Sequence, residues 1–341
     1  MARYPDFLIF GAAKSGTTTL FDFLRRHPQV FLPEIKEPEF YSIDEKFLTA
    51  RAWYEGLFAQ ARIDQVVGEG SQTYSMWPHF AKAPERIATE LPNVKLVYIM
   101  RDPIERAYSF YLQLVKMGQI TRQNFRISRT FEECLFPDMY PDRCSHETFM
   151  GSLAGIFPDD PGLFLDPSDY ALQIERYSKF YSRDRFHLMV FEEIIADCAH
   201  QIESLFRFLG LTELGGMHSI SSAKTNVSSD YFATAQAMDA MMRAKRNTTL
   251  TRIASITPNP IKALTKRALL LYSAREKSIS LSRPAPMQPQ TRVWLQEYFA
   301  PRLKRLAELT DLDVSIWTSR WNSPENGQPN RSDASANTQI I

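Results

Sequence analysis

Residues 6–20 read Asp6-Phe7-Leu8-Ile9-Phe10-Gly11-Ala12-Ala13-Lys14-Ser15-Gly16-Thr17-Thr18-Thr19-Leu20. The stretch opens on a continuous apolar run, the pattern of a strand buried on both faces of a parallel sheet. Gly11 to Gly16 then form a glycine-containing turn. From Thr17 to Arg26 the apolar spacing of Leu20, Phe21, Phe23 and Leu24 predicts a helix, stopped by His27-Pro28. Strand, glycine turn and helix together make the setting for a phosphate loop. Backbone N–H groups at a helix N-terminus converge on one concavity, and the helix dipole adds positive potential there. The same stretch also fits a plain strand–turn–helix with chance glycine and threonine.

Measured against G-x-x-x-x-G-K-[ST], Gly11 and Gly16 take the glycine positions and Thr18 the Ser/Thr position, but Thr17 stands where the lysine belongs. The loop's lysine is Lys14, three residues earlier. From inside the loop it can bridge a phosphate and whatever leaves from it. No clear apolar strand ends in the aspartate that usually holds magnesium. The loop therefore predicts a nucleotide-phosphate site without an obligatory metal.

Two further apolar runs extend the pattern. Val94 to Met100 predicts a strand that meets Arg101-Asp102-Pro103 and a helix over 104–116, with proline near its start. Phe186 to Phe191 predicts a third strand, followed by a helix over 199–209 that ends at Gly210. Strands alternating with helices mean an α/β chain: a P-loop-like, three-layer fold with a central, mostly parallel sheet flanked by helices.

The 341 residues suit one large domain, expected over 1–322. Within it, residues 117–168 and 236–292 read as irregular insertions near an acceptor cleft, and the polar stretch 323–341 as a disordered tail. Lys plus Arg number 40 against 39 Asp plus Glu, a balance that argues against a dedicated nucleic-acid binder. Three cysteines are too few for a disulfide scaffold and lack zinc-site spacing; pairing of Cys134 with Cys144 stays open. There is no signal-peptide cleavage pattern, and no run approaches the roughly 20 apolar residues of a membrane span. The expected location is the cytoplasm.

Lys14 to Leu20 resembles the 5′-phosphosulfate loop of the sulfotransferases that use 3′-phosphoadenosine 5′-phosphosulfate (PAPS). Leu96 to Tyr111, with its strand, Arg101-Asp102-Pro103, Arg106 and Ser109, looks like their 3′-phosphate motif. Lys36-Glu37-Pro38-Glu39-Phe40-Tyr41 and Trp53-Tyr54 resemble segments of the heparan-sulfate-type and bacterial branch. Gly68 to Tyr74 matches that branch's Glu-Lys-x-Pro-x-Tyr loop in part, with Gly70 where several relatives carry lysine. Lys224-Thr225-Asn226 falls where the family has a basic loop over the nucleotide, though it lacks the flanking glycine of the animal enzymes. Leu309 to Trp317 is similar to the family's ending.

The resemblance implies sulfuryl transfer from PAPS to a hydroxyl or amine of a carbohydrate or glycolipid, an in-line displacement governed by positioning and electrostatics. It assigns Glu37 as general base, with Glu39 and Glu69 as fallbacks. Lys14 would stabilise the leaving oxygen. Ser15, Gly16, Thr17, Thr18 and Thr19 would hold the 5′-phosphate, Arg101 and Ser109 the 3′-phosphate. Lys224, Thr225 and Asn226 would cover the nucleotide. Arg106 either pairs with Asp102 or touches ligand; Lys36 either meets the sulfonate or is solvated. No metal is implied.

Residues 243–277 hold nine basic side chains against the single acid Glu276, interleaved with apolar residues. Such a segment can dock on an anionic membrane, receive an anionic acceptor, cover the nucleotide, or be a solvated helix face. Lys262, Lys266 and Arg267 are its acceptor candidates. Two other functions remain open at this point: a metal-dependent P-loop kinase, and a non-catalytic PAP- or PAPS-binding module.

Overall fold

The computed structural model describes residues 3–121, 129–140, 153, 155–157, 159–212 and 284–321. In chain order the elements are β1 (Phe7–Gly11), α1 (Thr17–Leu24), β2 (Val30–Phe31), α2 (Asp44–Thr49), α3 (Arg51–Gly56), β3 (Val66–Gly70), α4 (Ala83–Glu90), β4 (Lys95–Met100) and α5 (Pro103–Thr121). They continue with α6 (Phe131–Leu135), α7 (Gly162–Leu165), α8 (Tyr170–Ser178), β5 (Phe186–Val190), α9 (Phe191–Ala196) and α10 (Cys198–Leu209). The last two described here are α11 (Pro289–Thr310) and α12 (Ser315–Trp321). The chain divides into two compact units, one of residues 1–106, 165–219 and 287–341, the other of 107–164 and 220–286.

The first unit holds a parallel sheet of five strands in the order β2-β3-β1-β4-β5. Leu8 of β1 faces Glu69 of β3 on one side and Leu96 of β4 on the other. Each side chain of β1 from Phe7 to Phe10 is buried, as the unbroken apolar run requires of a central strand. Phe10 lies between Tyr98, stacked at 4.5 Å, and Tyr177 at 4.6 Å. Burying such a ring contributes about 1.5–3 kcal/mol.

The three predicted strands are present, and the helices beside them differ only at their ends. α1 stops at Leu24, α5 runs on to Thr121, and α10 ends on the left-handed Gly210. The sequence reading had no β2, and took the segment containing β3 for a loop.

The strand order places a switch point at β1. The chain leaves it toward β3 on one side, and β4 continues the sheet on the other. Ligands of open parallel sheets gather beyond the carboxyl ends of strands at such a point. In this unit those ends lead into Gly11–Gly16, Ser71–Gln72, Arg101 and Phe191.

The second unit takes up α5 from Ala107, with α6 and α7 as far as Phe164. Tyr111, Phe131 and Phe164 pack with ring centroids 5.3 to 5.8 Å apart along the cluster. A capping box starts α6: Glu133 N–H donates to Thr130 Oγ1 and Thr130 N–H to Glu133 Oε2. Arg129 and Asp159 form a buried ion pair at 3.1 Å. Cys134 is a free thiol whose burial pushes it up to about 12. Cys144, the stretch 243–277, most of 236–292 and the tail 323–341 lie outside the described residues. Among the described residues no helix is long and apolar enough to cross a membrane.

Candidate active site

The turn after β1 begins with Ala12 N–H bonded to Ile99 O (2.8 Å), which ties it to the neighbouring strand. Ser15 N–H then closes back on Ala12 O at 3.2 Å. Lys14 is left-handed, with φ of +72°, and half-buried. Gly16, the N-cap of α1, has φ of +94°. A side chain there would also stand 3.0 Å from the Phe191 ring, so both backbone and space call for glycine.

Gly16 brings no side-chain acceptor to the first N–H groups of α1. Ser15 is fully buried, and its hydroxyl has no hydrogen-bond partner. A buried orphan hydroxyl beside an uncapped helix N-terminus is the donor set an anionic group needs. The residues fit the phosphosulfate group. Thr17 is buried, while Thr18 and Thr19 are half-buried at the start of the helix.

The turn after β3 carries the second cluster. Glu37 N–H donates to Gly70 O (3.0 Å), and Gln72 N–H donates to Glu37 Oε2 (2.6 Å). Lys36 Nζ pairs with the other oxygen, Oε1. Lys36 is thus engaged by Glu37 rather than free in solvent, with both side chains about one-fifth to one-quarter exposed. Ser71 N–H donates to Ile9 O at 3.2 Å, so the Glu37 segment is tied through β3 to the strand that leads into the Lys14 turn.

Glu37 and Glu39 are also left-handed, with φ of +60° and +55°. Left-handed residues other than glycine cost about 1–3 kcal/mol each and concentrate at functional sites. Among the described residues other than glycine, Lys14, Glu37 and Glu39 share this conformation only with Asp311.

The fallback bases are occupied otherwise. Glu39 Oε2 takes Lys46 at 3.3 Å, while its N–H donates to Ser71 Oγ at 2.9 Å. Glu69 has no exposed surface and accepts from Tyr54 OH at 2.6 Å and Ser71 Oγ at 2.7 Å. Burial pushes its carboxyl up to about 7, against the opposing pull of these hydroxyls; the nearby Glu37 charge adds to the rise. Tyr54 stacks on Phe40 at 4.1 Å, anchoring the segment that follows Glu37.

Gly70 is where the resemblance leads one to look for lysine. A β-carbon there would lie 3.1 Å from the Phe21 ring of α1. A side chain at this point would press on that ring, which would have to give by a few tenths of an ångström.

The turn after β4 carries Arg101. Its backbone is bracketed by one phenol: Arg101 N–H donates to Tyr170 OH (3.3 Å), and that OH donates to Arg101 O (2.7 Å). The half-buried guanidinium lies 5.5 Å from the centre of the Phe191 ring and has no carboxylate partner among the described residues. Asp102 Oδ1 caps α5, accepting from Ile104 N–H (2.9 Å) and Glu105 N–H (3.1 Å). Its Oδ2 accepts from Trp321 Nε1–H at 2.8 Å. Glu192 accepts from Asp102 N–H (3.0 Å) and Trp317 Nε1–H (2.8 Å). Burial, helped by the charges of Glu105 and Glu192, pushes the Asp102 carboxyl up to about 6.

Arg106 is wholly buried and donates Nε–H to Ser168 Oγ at 2.6 Å, so neither of its two expected roles describes that contact. Burial lowers its guanidinium to about 10. Ser109 is buried on α5 in the second unit, eight residues beyond Arg101. Lys224, Thr225 and Asn226 lie outside the described residues.

Within the first unit the structure brings Lys14, Ser15, Gly16–Thr19, Glu37 and Arg101 to the carboxyl ends of adjoining strands. Sequence reasoning missed Tyr170, Phe191, Glu192, Trp317 and Trp321. Phe191 and Glu192 carried one legible signal, since they directly follow the apolar run of β5. The others reach the site from distant helices.

A family model described as "Sulfotransferase domain" matches residues 4–249. Over 111 residues the chain is 37% identical to heparan sulfate glucosamine 3-O-sulfotransferase 6 of Mus musculus, covering 33% of this chain and 31% of that protein. Over 213 residues it is 28% identical to heparan sulfate glucosamine 3-O-sulfotransferase 3B1 of Homo sapiens, covering 62% of this chain and 47% of that protein. The chain thus spans about a third to a half of the length of these curated relatives. A solved sulfotransferase from Alicyclobacillus acidocaldarius shares the fold, with a TM-score of 0.58, 23% identity, and coverage of 93% of this chain and 99% of that one. The family match takes in all five strands, the uncapped loop at Lys14 and the Arg101 turn: the chain belongs to the sulfotransferase domain family.

Proposed function

We propose that the protein transfers a sulfuryl group from PAPS to a carbohydrate or glycolipid acceptor, with a hydroxyl the favoured nucleophile. One observation carries the reading. Glu37 is tied to the end of β3, and β3 lies beside the strand that leads into the Lys14 turn, so a fixed carboxylate and a loop lysine occur at neighbouring strand ends. The similarity to heparan sulfate glucosamine 3-O-sulfotransferases supports a sugar acceptor.

Bound PAPS would supply the sulfuryl group and leave as PAP. Ser15 and the first N–H groups of α1 would hold the 5′-phosphate. Arg101 would take the 3′-phosphate bidentately. Glu37 would receive the proton of the acceptor O–H as the oxygen attacks; Lys36 and Gln72 N–H fix the orientation of its carboxylate. The Lys14 ammonium would offset negative charge building on the departing oxygen.

Calorimetry with PAP in EDTA tests the nucleotide site. Wild type is expected to bind in the micromolar range and Arg101→Ala at least tenfold more weakly, since a charge-assisted phosphate contact contributes about 1.5–3 kcal/mol. Labelled PAPS with heparan-type oligosaccharides tests turnover. Glu37→Gln should lower kcat by about 100-fold or more while PAP affinity is kept. Binding of ATP–magnesium in place of PAP would overturn the reading in favour of a kinase. PAP binding without turnover on any acceptor would leave a binding module.

A further inference from the structure

Two buried acids adjoin the arginine that would read the 3′-phosphate. Asp102 follows Arg101 directly in the chain, and Glu192 accepts the Asp102 N–H. A phosphate brought to Arg101 would meet these carboxylates as like charges, unless donors occupy their oxygens. All four oxygens are occupied. Asp102 Oδ1 takes two N–H groups of α5, Asp102 Oδ2 takes Trp321, Glu192 Oε1 takes Asp102 N–H, and Glu192 Oε2 takes Trp317. An indole N–H can only donate, so each bond has one sense. Both indoles belong to α12, and the Trp317 ring also lies 6.0 Å from Tyr170, the residue that brackets the Arg101 backbone.

We infer that Trp321, seconded by Trp317, is a positioning residue: its N–H holds the Asp102 carboxylate, and thereby the Arg101 turn, in the form that recognises a nucleotide 3′-phosphate. The inference rests on the PAPS reading above. It adds that recognition of this phosphate depends on a helix more than two hundred residues further along the chain. Trp321 is half-buried, so Trp321→Phe removes the N–H while keeping a ring in place; Trp317 is buried, and Trp317→Phe is the second variant.

The test compares two nucleotides by calorimetry on the full chain: adenosine 3′,5′-bisphosphate (PAP) and adenosine 5′-monophosphate (AMP), which lacks the 3′-phosphate. Thermal melts check that each variant is folded. For Trp321→Phe, PAP affinity is expected to fall roughly tenfold while AMP affinity stays within about twofold, since a hydrogen bond to a charged group is being lost. Trp317→Phe should shift the PAP-to-AMP ratio in the same direction. An unchanged ratio in Trp321→Phe overturns the inference, as does an equal loss for both nucleotides, which is what general damage to the fold gives. Wild type that fails to prefer PAP over AMP overturns the PAPS reading itself, and this inference with it.

Discussion

Glu69 is a charged residue in a strand beside the centre of the sheet, with no solvent contact. Tyr54 and Ser71 each donate a hydroxyl to it, and Ser71 passes the connection on to the backbone of Glu39. It is a support beneath the Lys36–Tyr41 segment rather than a base. Its carboxyl is raised from 4.5 to about 7. The folded chain therefore keeps a proton that the unfolded chain has released over that window. Stability should be greatest below about pH 4.5 and fall as pH rises toward 7, by roughly 3 kcal/mol from this residue. Glu69→Gln keeps the shape and removes the titration. In urea melts from pH 4.5 to 7.5, its stability relative to wild type should rise with pH by about 2–3 kcal/mol. A gap that does not change with pH would show that Glu69 does not titrate there. Asp102 titrates in both chains, so it cancels from the comparison. In the sequence Glu69 stood with Glu39 as a fallback behind Glu37. What separates them is who donates to them, and those donors lie in helices and turns that no local pattern reveals.

β3 shows why some elements were legible and others were not. β1 and β4 announce themselves because both their faces are buried by apolar side chains, and β5 because four of its five residues are apolar. β3 reads Val66-Val67-Gly68-Glu69-Gly70, and its glycines and acid disguise it as a loop. Those same residues are what the packing needs. Gly68 admits the Phe7 ring, and Gly70 admits the Phe21 ring of α1. Gly68→Ala, whose β-carbon would stand 2.2 Å from the Phe7 ring, should therefore cost about 1–3 kcal/mol through overcrowding. Phe7→Leu should relieve part of it, so the pair is expected to be non-additive by at least 0.5 kcal/mol in a double-mutant cycle. Additive losses would mean that the two strands accommodate the extra carbon without the ring giving way. The loop at Lys14 was legible for the opposite reason: its shape lies in the backbone, and glycine, turn and helix start are all written locally. The Arg101 turn was legible only in its arginine. The phenol, ring and indoles that shape it come from α8, α9 and α12.

At the scale of the molecule, the sheet of the first unit is covered in part by α11 and α12. Leu295, Phe299, Leu303, Leu306 and Trp317 from these helices are all buried. At about 1.5–3 kcal/mol each, their loss rivals the whole stability of a typical domain. A chain lacking residues 284–341 should show no cooperative urea transition and should bind a hydrophobic dye, although it retains every strand. A sharp transition near the wild-type midpoint would refute this. The bond from Trp321 to Asp102 also has a meaning in time. Its partners lie 219 residues apart. At a synthesis rate of about 5–20 residues per second, the ribosome makes Asp102 roughly 10–40 s before it reaches the indole that satisfies it. Lys14 and Glu37 are made earlier still, so the nascent protein would own its proposed catalytic groups before it could tell one nucleotide from another.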